Sequence, residues 1–214
     1  MSISDIHTHQ HPSVAGTAIV QLTPDTFAPR PGHYYSVGIH PWEITGDWHV
    51  QAAKLAVMAL HPQVVMIGET GMDKRNTPIP LELQQEVFVS HVRLSELLRK
   101  PLIVHCVKAV DELLALRTAT KATLPWVLHG FRGGVEQWRQ LSRAGIAVSL
   151  GMHYDANLLR ELLPLDLLLE SDDNHDINAV YAKAGADAAI NGQALRQCVS
   201  VNIERLLRGP YMNI

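Results

Sequence analysis

The sequence predicts a barrel of eight parallel strands wrapped in helices, a (β/α)8 TIM barrel, and three observations carry that prediction. Short β-runs alternate with helical stretches, the runs falling at 2–7, 17–22, 34–39, 64–68, 102–105, 126–129, 146–150 and 167–171. The later runs are almost continuously apolar, as strands covered on both faces are. Five of the runs end in a potential metal ligand, and barrels of this kind carry their chemistry at the C-terminal ends of their strands.

The 214 residues are enough for one sizeable core, and the whole chain, 1–214, reads as one domain. With 47% hydrophobic and 18% charged residues the composition is that of a globular protein. A net charge of −3 without basic clusters excludes tight non-specific binding of long DNA. Histidine is abundant, at 12 residues, and its ring nitrogens are the commonest metal ligands. Cys106 and Cys198 form no CxxC pair and read as free, buried thiols of a reducing compartment. No window is apolar enough to span a membrane and no signal-like segment opens the chain, so the expected location is cytoplasmic, with no membrane partner.

Taken in order, the first run carries Asp5-Ile6-His7-Thr8-His9. Alternate side chains of a strand share a face, so Asp5, His7 and His9 are expected to line up, with Ile6 and Thr8 opposite. A histidine-rich tail is the competing reading of this stretch alone. The connections after the first two runs, "THQHPSVAG" and "TPDTFAPRPGH", are rich in proline and glycine and too short for barrel helices. The barrel is therefore expected to be trimmed, lacking one or two outer helices beside strands 1–3. The exposed strand faces would be covered by the C-terminal helices or by another subunit, which makes a homo-oligomer an expectation. Helices are predicted near 48–60, 80–99, 110–121, 134–144, 156–163 and 176–208, the last breaking around Asn191-Gly192. In the second, Leu83, Val87, Leu94 and Leu98 recur on a helical period.

The site assembles from the strand ends: "VVMIGE" stops at Glu69, "PLIVHC" reaches His105, "WVLHG" reaches His129 and "LLLESD" ends at Asp172. His7, His9 and Asp172 are expected to hold one metal and His105 and His129 a second, with Glu69 giving one oxygen to each. Asp5 is the candidate support, hydrogen-bonded to a ligand ring or to the backbone. Two ions ~4 Å apart can generate a hydroxide at neutral pH and hold both the attacking and the leaving oxygen. Asp172 can also take the proton of the attacking water. Asp172 and Glu69 are thus the candidate catalytic residues, and the cofactors are two divalent ions, with Zn, Mn and Mg all admitted by the donors.

These residues resemble the TatD family of metal-dependent hydrolases and deoxyribonucleases, in the amidohydrolase-like superfamily. The resemblance rests on "DIHTH" at 5–9, "GIHP" at 38–41, "GETGMD" at 68–73, "KPLIVHC" at 100–106, "HGFRG" at 129–133, "LLLESD" at 167–172 and "NIERLL" at 202–207, all in the family's order. It implies metal-ligand roles for His7, His9, Glu69, His105, His129 and Asp172, and a place at the mouth of the site, in contact with substrate, for His40. Glu170 and Asp73 match recurrent family positions and read as structural supports. The family commonly has an arginine after the strand-5 "HC", where this chain has Val107; Arg132 is the candidate replacement, able to grip phosphate through two bonds. "DNHD" after Asp172 replaces a short proline-containing turn, and His153 and His175 follow strands 7 and 8, where either can face substrate.

The implied function is attack of a metal-bound hydroxide on a phosphoester, either a DNA 3′ end or a smaller nucleotide-like compound. Two alternatives are hydrolysis of an amide or lactone on the same metals and a metal-binding barrel without catalysis. Related two-metal barrels often use a carboxylated lysine where Glu69 stands, which favours the TatD-like branch over the first. Six convergent ligands are costly to keep unfilled, which argues against the second.

Overall fold

The computed structural model describes residues 3–173 and 176–208. The predicted strand start at residue 2 and His175 lie outside them. Eight strands stand side by side in sequence order, each parallel to the next: β1 (Asp5–Thr8), β2 (Ala18–Leu22), β3 (Tyr34–Val37), β4 (Val64–Asp73), β5 (Leu102–Val107), β6 (Trp126–Leu128), β7 (Ile146–Leu150) and β8 (Leu168–Leu169). The seam between last and first strands closes through a parallel bridge of Thr8 with Asp172. There the Asp172 amide donates to the His7 carbonyl at 3.1 Å and the His9 amide to the Asp172 carbonyl at 3.3 Å. Helices follow the later strands: α1 (Trp48–Met58), α2 (Leu81–Leu98), α3 (Val110–Thr120), α4 (Val135–Arg143), α5 (Ala156–Leu162), α6 (Ile177–Ala188) and α7 (Gly192–Arg208).

As expected, no helix joins β1 to β2 or β2 to β3 among the described residues. Their cover comes from the same chain. Ile3 and Ile6, at the first strand, share a buried cluster with Leu195, Val199 and Ile203 of α7, and the Tyr181 hydroxyl of α6 donates to the Ser4 carbonyl at 2.7 Å. Beside β2 and β3 a second cluster joins Val20, Tyr35, Val37, Leu55 and Val64, with Phe27 packed on it. Phe27 meets Tyr35 edge to face at 5.7 Å, and the Tyr35 hydroxyl accepts the Arg30 amide at 2.8 Å. The loop that replaces a helix thus does a helix's covering work, and closing this face requires no second copy.

Two elements depart from expectation. β4 runs on through "GETGMD" to Asp73, five residues past the predicted end at 68. The glycines that break its apolar run are what let it continue beside β5: a Cβ on Gly68 would stand 2.3 Å from the Ile103 carbonyl oxygen, and one on Gly71 2.0 Å from that of His105. The buried stripe of α2 is Gln84, Val87, Phe88, His91, Val92 and Ser95; of the expected periodic residues Val87 lies within it, and Leu83, Leu94 and Leu98 pack half-buried at its edge. The helix is turned because its polar inner residues have partners. The Gln84 Oε1 accepts the Asp73 amide at 2.7 Å, the His91 Nε2 accepts the Ile39 amide at 3.0 Å, and the Ser95 hydroxyl donates to the Lys100 carbonyl at 2.6 Å.

Candidate metal centre

Glu69 is the hub. Its carboxylate is 2% exposed, and its two oxygens face two sets of partners. Oε2 lies 3.4 Å from both His7 Nε2 and His9 Nε2, and each of those nitrogens is 3.7 Å from Asp172 Oδ1. Oε1 lies 2.7 Å from His129 Nε2, 2.9 Å from His105 Nδ1 and 3.2 Å from His40 Nε2. The backbone fixes this placement, since the Glu69 amide donates at 2.5 Å to Gln21 Oε1, which also accepts the Ser36 hydroxyl at 2.8 Å.

The six expected ligands therefore converge, and four triads have ligand atoms within 4.8 Å of one another: His7, Glu69 and His129; His7, His9 and Asp172; His40, Glu69 and His105; His129, Glu170 and Asp172. The donors suit a divalent cation: imidazole and carboxylate, within β4 at Glu69 and at or just beyond the ends of β1, β3, β5, β6 and β8. His7 gives an independent test of fit. It is fully buried, yet neither ring nitrogen has a hydrogen-bond partner. A buried imidazole without partners is destabilising by roughly 1–3 kcal/mol, a cost that a cation at Nε2 would offset.

The electrostatics point the same way. Burial alone would raise the Glu69 carboxyl, but the His129 charge and hydrogen bonds from His105, His129 and His40 outweigh it and hold the group well below the usual carboxylate range. Burial would lower the His129 imidazole, yet Glu69 and Glu170 bring it well above its ordinary value.

A second ring of residues aims the first. Asp73 Oδ2 lies 3.2 Å from His105 Nε2 and accepts Trp42 Nε1 at 2.8 Å, while its Oδ1 accepts the amides of Arg75 and Asn76 at 2.8 and 2.9 Å. Burial would raise the Asp73 carboxyl; the Asn76 side chain and these amides instead bring it far below the usual range. Glu170 Oε1 accepts the Gly130 amide at 2.7 Å and stands 3.5 Å from His129 Nδ1, and its Oε2 accepts the Ser149 hydroxyl. Asp5 is turned away from the ligand cluster: it accepts the Ser171 hydroxyl at 2.7 Å, the Ser171 amide at 3.1 Å and the His7 amide at 3.4 Å. Burial pushes its carboxyl up to about 7, against the hydrogen bonds from Ser171.

The centre opens into a cavity of about 400 Å³ lined by His9, His40, Glu69, His105, His129 and Asp172 and, beyond the sequence expectation, by Gln21, Leu22, Thr23, Thr26, Trp42, Glu43 and Asp173. Arg132 and His153 are exposed and do not line it. Of the missed residues only Asp173, beside Asp172, carried a sequence signal, namely the acidic "DNHD" run. Gln21, Trp42 and Glu43 reach the cavity from loops or strand ends with no metal-ligand pattern of their own. Both cysteines are free and half-buried rather than buried, and burial pushes the Cys106 thiol up to about 11. Among the described residues no helix is long and apolar enough to cross a membrane.

The sequence profile of the family described as TatD related DNase matches residues 22–194. A protein of Erwinia billingiae named 3'-5' ssDNA/RNA exonuclease TatD is 38% identical over 155 residues, 67% of this chain and 59% of that protein. One of the same name from Escherichia coli K12 is 34% identical over 148 residues, 64% of this chain and 56% of that protein. The chain thus spans less than two thirds of the length of these relatives. Among solved structures, YJJV, a TatD homologue from Escherichia coli, superposes with a TM-score of 0.80 at 20% identity, covering 98% of this chain and all of that one. A TatD-family hydrolase from Entamoeba histolytica reaches 0.67 at 16% identity, covering 82% and 75% of the two chains. At those identities the superpositions speak for the fold, while the profile match over most of the sequence speaks for descent: the chain belongs to the TatD-related DNase family.

Proposed function

We propose that the chain hydrolyses phosphoester bonds, at the end of a single-stranded nucleic acid or in a smaller nucleotide-like compound, with two divalent ions of zinc, manganese or magnesium. The observation that carries this reading is the division of labour at Glu69, whose Oε2 faces His7, His9 and Asp172 while its Oε1 faces His105 and His129. Bound there, two ions supply an acidified water and positive charge for the oxygens of a reacting phosphate. The chain's own groups do the rest. Asp172 has the position to accept the proton of the attacking water.

The ring orientations support separate roles for the histidines. With Asp73 at its Nε2, a neutral His105 carries its proton there and leaves the Nδ1 lone pair for an ion; His129 points its Nε2 at Glu69, with Glu170 3.5 Å from its Nδ1. His40 has the opposite arrangement. Its Nδ1 accepts the Trp42 amide at 3.2 Å, so the neutral ring carries its proton on Nε2, beside Glu69. A protonated nitrogen is a donor, suited to a phosphate oxygen and not to a metal. The unpaired thiols fit a reducing compartment, and the cytoplasm is our placement.

The test pairs metal content with turnover. Protein purified without chelator is analysed for bound metal, then assayed on a phosphodiester, on single-stranded DNA and on an amide and lactone panel, with Glu69→Gln as control. About two ions per chain and phosphodiester cleavage that Glu69→Gln abolishes are expected. Stoichiometric metal with amide or lactone turnover alone would overturn the phosphoester reading, and no metal under any loading condition would overturn the ligand set.

A further inference from the structure

We propose that Trp42 is the platform on which the terminal base of the substrate stacks, an assignment that rests on the phosphoester reading above and narrows its substrate to an end that carries a base. Trp42 is the one aromatic among the large apolar side chains left exposed in the described residues, at 53% exposure, and it stands in the wall of the cavity that holds Glu69. Its ring is fixed before any ligand arrives. The indole N–H is donated to Asp73 Oδ2 at 2.8 Å, and the ring meets His40 at 4.7 Å and His105 at 5.7 Å, both nearly perpendicular. An aromatic held open to solvent at this fixed angle gives up little conformational freedom on binding a flat partner.

The charge around it indicates what that partner is. Among the described residues no lysine or arginine lines the cavity, and Glu43 and Asp173 stand on its wall. Lysine and arginine therefore contribute nothing there to the grip on a polynucleotide backbone, and these two carboxylates oppose it. Affinity for a nucleic-acid end must then come from the ions and from contacts independent of charge. Base stacking on an aromatic side chain is such a contact, worth about 1–3 kcal/mol per base. A base seated on Trp42 would bring its own sugar and phosphate beside His40 and Glu69.

The test compares two single-stranded oligonucleotides, identical except that the 3′-terminal residue of one lacks its base. Wild type is expected to prefer the base-bearing end in kcat/KM by about 5- to 150-fold, the stacking energy expressed as a ratio. Trp42→Ala should reduce that preference to within twofold, while Trp42→Phe, which restores a ring but not the bond to Asp73, keeps most of it. A preference unchanged in Trp42→Ala, or no preference in wild type, overturns the proposal. So does an equal fall on both substrates, which would mean that Trp42 serves only to hold Asp73 and His105. Equilibrium binding of thymidine monophosphate and of ribose 5-phosphate is measured alongside. A protein that cleaves neither oligonucleotide but binds the nucleotide more tightly through Trp42 would keep the platform and remove the phosphoester reading; loss of both signals removes both.

Discussion

His40 and His105 lie with ring centroids 4.4 Å apart, yet their hydrogen bonds assign them different work. The proposed roles are a lone pair offered to the cluster by His105 and a hydrogen bond donated to substrate by His40. Replacing each by alanine should separate the roles. His105→Ala is expected to lose bound metal, read by elemental analysis, and activity with it. His40→Ala should keep its ions while turnover falls by about 10²- to 10³-fold, the range for one lost hydrogen-bond donor to a developing charge. Metal loss in His40→Ala would make it a ligand instead. Such roles were only partly legible in the sequence. The six converging side chains could be read because each follows an apolar run of its strand, where period and fold together dictate direction, even though β4 continues beyond Glu69. The supports could not, because Gln21, 48 residues from Glu69, and His91, 52 residues from Ile39, meet their partners only once the barrel has brought them together.

Among the elements, β4 carries the most constraint. Gly71 sits at φ +149°, against the His105 carbonyl, so a side chain there collides with β5 at the residue that should hold metal. Gly71→Ala should destabilise the protein by about 3 kcal/mol or more and lower metal content, checked by thermal unfolding and elemental analysis. The early connections teach a different lesson. Their missing helices were readable from proline and glycine content, but their cover was not. Phe27 reads as a lone aromatic in a loop, and only the fold shows it packed on Tyr35. Phe27→Ala should cost roughly 1–3 kcal/mol of stability, seen in urea unfolding, without changing the oligomeric state. Assembly with a second copy in wild type would show that intramolecular cover is insufficient.

For the molecule as a whole, two global variables should respond. The first is pH. Burial lowers fully buried His91 to about 4, from an ordinary value of 6.5. Between those values the unfolded chain binds a proton that the folded one refuses. His91's contribution is therefore complete above about pH 6.5 and is lost as the pH falls toward 4, about 3 kcal/mol in all. Unfolding of chelated wild type and His91→Gln across this window should show a shallower decline for the variant, whose amide oxygen can still accept the Ile39 N–H. The second is salt. With no lysine or arginine among the described residues of the cavity wall, cleavage of an oligonucleotide should slow by no more than about sevenfold between 50 and 200 mM salt, the loss expected for two phosphate contacts. A steeper decline would reveal a basic track outside the cavity.

The closing seam has a further consequence. His7 and His9 come from the first strand and Asp172 from the end of the last, and the bridge between Thr8 and Asp172 zips the barrel shut at that spot. An ion shared by these three is therefore a rivet joining regions of sequence made early and late in synthesis. A growing polypeptide holds the histidines long before it holds the aspartate, so an ion that needs all three ligands cannot be held until Asp172 has been made. Placing the ligands across the seam would tie the filling of that ion's shell to the closing of the barrel.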